Sequence, residues 1–482
     1  MGRQDVESRG IQSTDMHEST FFKLRCDPLI LAANSQTAPI ASVWRAFLHL
    51  DQTQWWSREK LEQYQVERLQ TLLTHCARHV PYYRELFAKN NFVVEQIRSL
   101  ADYRRLPILT RSTYQDQFDS FVAEELPEAT LLTDLRTTSG TSGLPIKVQQ
   151  TNVVGAWWLA FYLRDLEWCG LDPREPVAGI RTLKLATPEL EQKFKEGLRS
   201  PSWNSILAPL IEMGPSFGMD LKQDPQRQIE WLLQVQPTYL LSYPSNLDYL
   251  ATLLRERGTR IPNLRRIQTF AETLDDSVRQ NVEESFGVPV MNLYSCIEAG
   301  YLASPCPSGA GLHIHAENVI LEVLDDNGQP CPTGQKGRVV LTTLRNFATP
   351  FLRYEILDDA TLGDCSCGRG LPLLTRVDGK RRPNLWLPDG RRRTSVQLVE
   401  AFRPIEGIRQ SQIIQKQVNH IEIRVATNSS WTEQREVEIR QAVTKFFEAP
   451  IQVEIGKYDY LPRSAGGKLL TVINELERKN PG

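Results

Sequence analysis

The sequence predicts an α/β protein in two parts: a large multi-sheet N-terminal domain and a small C-terminal α+β domain. Three observations carry this expectation. Short apolar strands over 238–242, 266–270 and 288–293 alternate with helical stretches over 247–257 and 277–286, the pattern of a parallel layered sheet. From His313 the chain turns β-rich, with strands over 318–324, 337–343 and 351–356. The last segment sets strands over 420–426 and 451–455 around a helix over 432–448, enough for a small domain of its own. A length of 482 residues also exceeds one ordinary core.

Taken in order, residues 1–20 are polar, with Asp5, Glu7, Asp15 and Glu18, and read as disordered rather than as a secretory or transit segment. Over 57–89, Leu61, Tyr64, Leu69, Leu72, Leu73, Cys76 and Val80 recur at helical spacing, and Pro81 interrupts or restarts the helix. Residues 114–125 read as a weak amphipathic helix, and 152–168, with Trp157, Trp158, Phe161 and Tyr162, as a strongly apolar one. Asp325-Asp326-Asn327-Gly328 is a hairpin turn. The stretch 378–393, dense in Arg, Lys, Pro and Gly, is either a boundary or two short strands joined at Pro388-Asp389-Gly390. The expected division is 21–380 for the large domain and 381–482 for the small one.

Composition narrows the function. A net charge of −2 without a basic block lacks the footprint of a nucleic-acid binder. No apolar run reaches the roughly 20 residues of a membrane span, so a cytoplasmic protein is expected. Eight cysteines in so long a chain do not make a disulfide scaffold; clustered ones point to metal.

The run Thr137-Thr138-Ser139-Gly140-Thr141-Ser142-Gly143-Leu144-Pro145 cannot pack a core, but it can turn tightly and offer backbone N–H and hydroxyl donors to phosphate. It lacks the Gly-Lys-Ser/Thr of a Walker loop. A helix following it would aim its positive N-terminus at the bound phosphate. In Tyr294-Ser295-Cys296-Ile297-Glu298, at the end of a strand, Tyr294 can cover a purine and Glu298 can hold Mg²⁺ with triphosphate oxygens. Asp358, in Arg353-Tyr354-Glu355-Ile356-Leu357-Asp358, can accept both ribose hydroxyls, unless Asp358 and Asp359 are only a solvated turn. Lys468, in Leu461-Pro462-Arg463-Ser464-Ala465-Gly466-Gly467-Lys468, can swing on its glycine-rich loop and stabilise charge developing on the α-phosphate. Cys306, His313, Cys365 and Cys367 can supply the four ligands of a tetrahedral Zn²⁺, with His315 a rival for the histidine position, unless they are buried free cysteines and a surface histidine.

Together these segments resemble, in order and spacing over about 57–475, the adenylate-forming enzymes, and most nearly their phenylacetate-CoA ligase and capsule-biosynthesis relatives. His79-Val80-Pro81-Tyr82-Tyr83-Arg84 and Tyr243-Pro244-Ser245 resemble segments of that branch. The resemblance implies an N-terminal AMP-binding domain and a mobile C-terminal domain. It implies ATP binding through Thr138, Ser139, Gly140, Thr141, Ser142, Gly143, Ala271, Glu272, Tyr294, Asp358 and Lys380, with Glu298 on Mg²⁺ and Lys468 catalytic. A zinc staple within about 300–370 is also implied. The implied reaction activates a carboxylic acid, aromatic or aryl-acetic, to an acyl-adenylate and passes it to a thiol, CoA; an amine or carrier protein is the alternative acceptor. The implied partners are thus the acid, ATP and the thiol, with a monomer or homodimer as the assembly. Departures from the family pattern are Ser295, Ile297, Glu355, Ile356, Leu357 and, at the interdomain hinge, Arg382 followed by Pro383. They leave a second alternative, a nucleotide-binding homologue without chemistry.

Overall fold

The computed structural model describes residues 21–26, 38–137, 145–183, 187–380, 383–464 and 467–476. The N-terminal segment 1–20, read as disordered, lies outside them. A parallel sheet runs in the order Leu198–Ser200, Ser216–Asp220, Val177–Arg181, Tyr239–Ser242, Arg266–Thr269, Val290–Asn292, with only its first strand antiparallel. Helices Pro225–Val235, Pro244–Arg257 and Asp276–Phe286 return the chain between parallel strands. Leu240, Ile267, Leu250 and Val282 are buried between the layers.

The second half of the large domain is an antiparallel sheet ordered Val319–Leu324, Lys336–Thr343, Tyr354–Gly363, Leu373–Lys380, Leu312–Ile314, Gly300–Pro305, Tyr294–Cys296. Helices Arg58–His79 and Pro81–Lys89 cover it; Pro81 starts the second at a position where its missing N–H costs nothing. The Asp325 turn forms as expected: its carboxylate accepts from the N–H of Asn327 and Gln329, and Gly328 takes φ +78°.

One strand boundary differs. A strand was expected over 351–356, but it runs Tyr354–Gly363. Arg353 has φ +48° and is buried, its Nε donating to Glu322 Oε2 at 3.0 Å and its Nη1 to the Leu106 carbonyl at 2.6 Å. That pairing takes the residue out of the extended ladder. Asp358 therefore lies inside a strand, which removes the solvated-turn alternative.

After Lys380 and the undescribed 381–382, a small hairpin, Asn384–Trp386 and Arg392–Thr394, turns at 388–390. A sheet follows, ordered Gln452–Tyr458, His420–Thr427, Ile408–Gln417, Val472–Asn474, with helix Gln434–Phe447 on one face and its own apolar core around Ile421, Ile423, Ile439 and Phe447. The strand Ile408–Gln417 had no counterpart in the sequence reading.

Candidate active site and metal centre

Strands Leu132–Thr137 and Lys147–Thr151 pair antiparallel, with Thr137 opposite Lys147. They hold both ends of the glycine- and hydroxyl-rich loop; Thr138 to Gly143 themselves lie outside the described residues. Helix Asn152–Trp168 does not begin at the loop. The strand Lys147–Thr151 intervenes, and the helix starts at its far end, where the Thr151 side chain accepts from Val154 N. At about 3.3 Å per residue, five strand residues carry the helix terminus some 16 Å from the loop. The helix therefore does not follow the loop directly, as the sequence reading had it.

Opposite, two neighbouring strands of the antiparallel sheet bring Asp358 and Lys380 side by side, and the edge strand Tyr294–Cys296 adds Tyr294. Asp358 and Lys380 are direct cross-strand partners. The buried Tyr294 donates its hydroxyl to Asp358 Oδ2 at 2.9 Å. Burial raises the Asp358 pKa to about 6, against the lowering effects of the Tyr294 hydrogen bond, Lys380 and Lys468. Burial also lowers the Lys380 ammonium, helped by the neighbouring charges of Lys468 and Arg111. Lys468, on the C-terminal lobe, is among the charges acting on both Asp358 and Lys380. Glu298, buried, has Arg111 Nη1 at 3.8 Å. One such carboxylate suits Mg²⁺, which takes the rest of its shell from water and phosphate.

Ala271 and Glu272 follow strand Arg266–Thr269. Ala271 sits at φ +67°, a left-handed conformation that turns the chain sharply. Glu272 faces the lobe junction: Oε2 accepts from Ser245 N at 3.0 Å and Oε1 from Leu469 N at 2.8 Å. Arg463 Nη1 stands 3.8 Å from the same carboxylate and donates to Ser245 Oγ at 2.7 Å. Gly467, φ +81°, lets the loop approach closely; a Cβ there would lie 2.6 Å from Thr182 Oγ1. These contacts set the backbone beside Lys468, and Glu272 is engaged with protein on both oxygens.

The cysteine and histidine set is gathered as expected. Ligand atoms of Cys306, His313, Cys365 and Cys367 all lie within 4.8 Å of one another. Cys306 Sγ is 3.6 Å from Cys365 Sγ, and His313 Nε2 is 3.2 Å from Cys367 Sγ. His313 Nδ1 is 3.0 Å from the Leu371 carbonyl, which fixes the ring with Nε2 toward the thiols. Gly311, φ +146°, allows the return from Cys306; a Cβ there would meet Leu374 O at 2.3 Å. The rival His315 points elsewhere. The strand ends at Ile314, and the His315 ring lies between Ser304 Oγ at 3.0 Å and Arg164 Nη1 at 3.3 Å. Burial and the Arg164 charge hold its pKa well below the usual value.

Arg111 was not anticipated. It lies on a short helix, Arg111–Asp116, and a lone arginine there carries no pattern.

The family description "CapK C-terminal domain" matches residues 385–475. Phenylacetate-coenzyme A ligase of Thermus thermophilus is 28% identical over 67% of this chain and 71% of its own length. Protein CapK of Staphylococcus aureus is 22% identical over 86% of this chain and 89% of its own. Among solved structures, 2-hydroxyisobutyryl-CoA ligase in the postadenylation state has the same fold, with a TM-score of 0.68 at 18% identity, covering 89% of this chain and 93% of that one.

Proposed function

Because the chain belongs to the phenylacetate-CoA ligase-like branch of the adenylate-forming enzymes, we propose that it activates a carboxylic acid with ATP and transfers the acyl group to the thiol of CoA. A carboxylate oxygen attacks the α-phosphorus, and the bond from that phosphorus to the bridging oxygen breaks, releasing pyrophosphate. The CoA thiol then loses its proton and attacks the acyl carbon, expelling AMP.

The observation that supports this reading is the loop of Lys468 docked on the large domain through Leu469 N and Glu272, on the side of the Asp358–Lys380 pair whose charges Lys468 influences. Asp358 accepts the ribose hydroxyls, while Tyr294 orients it. Tyr294 is buried with its hydroxyl committed to Asp358. Lys380 and Lys468 place two cations beside the transferring phosphate, where negative charge grows in the transition state. Thr138 to Gly143 cradle the phosphates. Glu298 would hold a Mg²⁺ ion, whose charge would offset that of the triphosphate, and Arg111 holds the Glu298 carboxylate in place. Ala271 turns the chain so that Glu272 latches the C-terminal loop. The small domain, 381–482 against 21–380, moves between the two half-reactions, and Pro383 stiffens one side of that hinge.

The set Cys306, His313, Cys365 and Cys367 fits a structural Zn²⁺ with no position left for water, consistent with a staple rather than a catalytic metal. Among the described residues no helix is long and apolar enough to cross a membrane; a cytoplasmic location agrees with the supply of ATP and CoA.

ATP–pyrophosphate exchange over a panel of acids, repeated with CoA and thioester detection, tests the proposal. Acid-dependent exchange with thioester formed only when CoA is present is the expected result. Exchange without thioester would move the acceptor to an amine or carrier protein. ATP binding with no exchange for any acid would leave a homologue without chemistry.

A further inference from the structure

The parallel sheet reverses its order at Val177–Arg181. From that strand the chain builds outward to Ser216–Asp220, then crosses back to pair Tyr239–Ser242 on the other side. A reversal of this kind opens a crevice at the carboxyl ends of the strands. Arg181 is the last residue of the strand at which the order turns. Its neighbour Thr182 is the residue against which the Lys468 loop packs through Gly467.

Solvent reaches the Arg181 side chain, yet protein stands around it. A Cβ added at Gly179 would lie 3.9 Å from Arg181 Nε, so the side chain turns back over its own strand. Val177, on the same face of that strand, packs into the cluster of Phe161 and Tyr301, which places this face toward helix Asn152–Trp168. Burial lowers the Arg181 pKa, and the groups acting on its charge are the phenols of Tyr162, Tyr243 and Tyr301. Burial raises the pKa of all three phenols, so they are neutral and supply no counter-charge, while the guanidinium stays protonated. The acids nearby are otherwise engaged. Asp220, the register partner of Arg181, accepts from Lys222 N at 3.1 Å, and Asp165 on the facing helix accepts from Gln268. Among the described residues the guanidinium makes no ion pair or hydrogen bond. A cation partly stripped of water without a counter-charge is costly. A carboxylate matches its planar fork with two parallel N–H···O bonds.

Resting on the reading of an acid-activating enzyme, we infer that Arg181 sets the choice of acid: the substrate is a dicarboxylic acid, one carboxylate held by this guanidinium in the crevice and the other presented to the α-phosphate beside Lys468. An acid with an apolar tail would cover the guanidinium and leave it unpaired, which a site built around a charge rejects strongly. Aryl and aliphatic frames both meet this requirement, provided the end remote from the reacting carboxylate is anionic.

The test compares pairs in which a carboxylate replaces a methyl: succinate with butyrate, glutarate with valerate, and 4-carboxyphenylacetate with 4-methylphenylacetate. Each is run in acid-dependent pyrophosphate exchange. The expected result is a preference of about a hundredfold in kcat/KM for the dicarboxylate of at least one pair, the size of a desolvated, hydrogen-bonded charge pair. Arg181→Gln brings that ratio to about one, acting on the KM for the acid and leaving ATP affinity as in wild type. Arg181→Lys keeps part of the preference, since an ammonium offers the charge without the fork. Preference for the methyl acid in every pair, a ratio untouched by Arg181→Gln, or a loss of ATP affinity in that variant overturns this inference while leaving acid activation standing. Exchange with no acid at all overturns both.

Discussion

The metal centre and the nucleotide cleft share one antiparallel sheet but are assembled differently. All four metal-centre residues come from that sheet and its loops, with His313 already oriented by the Leu371 carbonyl. The cleft takes Tyr294, Asp358 and Lys380 from the same sheet, but Lys468 arrives from the other lobe on a loop held by Glu272 and Arg463. A site completed within one sheet can form as the sheet folds. A site completed by a second lobe can open and close. The first arrangement therefore serves stability and the second serves turnover, so damage to each should register in a different measurement.

The sharpest separation is expected from Lys468→Ala. Removing an ammonium aimed at developing charge should lower acid-dependent pyrophosphate exchange by about 10³-fold. ATP affinity and the unfolding temperature should stay near wild type, since the half-buried lysine sits on a loop rather than in a core. Unaltered exchange removes the lysine from the chemistry.

The converse is expected at the metal centre. Wild-type protein should carry about one equivalent of zinc by elemental analysis, and Cys365→Ser should lose most of it. Because binding free energy at a structural site is folding free energy, its unfolding temperature should fall by roughly 5–10 °C. Exchange per folded molecule at low temperature should change little. A metal-free wild type with full thermal stability would break the comparison at its stable end.

Glu272→Ala probes the joint between the two regions. It removes the acceptor for Leu469 N and for Ser245 N, which loosens the loop. Adenylation should slow by about tenfold, on the order of one to two lost hydrogen bonds, while CoA transfer from a supplied acyl-adenylate keeps its rate. Equal slowing of both half-reactions would show that the contact merely supports the fold.

These differences also mark what could be read from the sequence. The gathering of Cys306, His313, Cys365 and Cys367 was legible because clustered thiols and an imidazole have few other uses in such groupings. Helix Asn152–Trp168 was legible to the residue, since its apolar face begins directly after the capping Thr151. The strand Lys147–Thr151 was not, because Lys-Val-Gln-Gln-Thr shows little of the apolar character that marks a buried strand; missing it placed the helix terminus too near the phosphate loop. Arg353 was equally opaque: its role depends on Glu322, 31 residues earlier, and on carbonyls some 250 residues away. Asp358 was singled out in the sequence, but its pairing with Lys380 and Tyr294 depends on strand register, which no local pattern records.

That pairing yields the smallest and most specific effect. Burial raises the Asp358 pKa to about 6, with Tyr294, Lys380 and Lys468 pulling the other way. Above that value the carboxylate is ionised and accepts both ribose hydroxyls; below it a proton occupies one acceptor position. ATP affinity should therefore weaken a few-fold between pH 7.5 and 5.5, and Asp358→Asn should be weaker throughout and nearly flat across that range. Stability should move the opposite way. A carboxyl whose pKa is higher folded than unfolded favours folding at low pH, and that contribution is lost as pH rises from about 4 through 6. Asp358→Asn should accordingly be as stable as wild type at pH 4 and more stable at pH 7.5, measured by thermal unfolding without nucleotide. A variant that binds ATP less well yet unfolds at higher temperature would identify Asp358 as a group held in the cleft at the fold's expense. A variant that keeps the wild-type pH slope would assign the ribose to another residue.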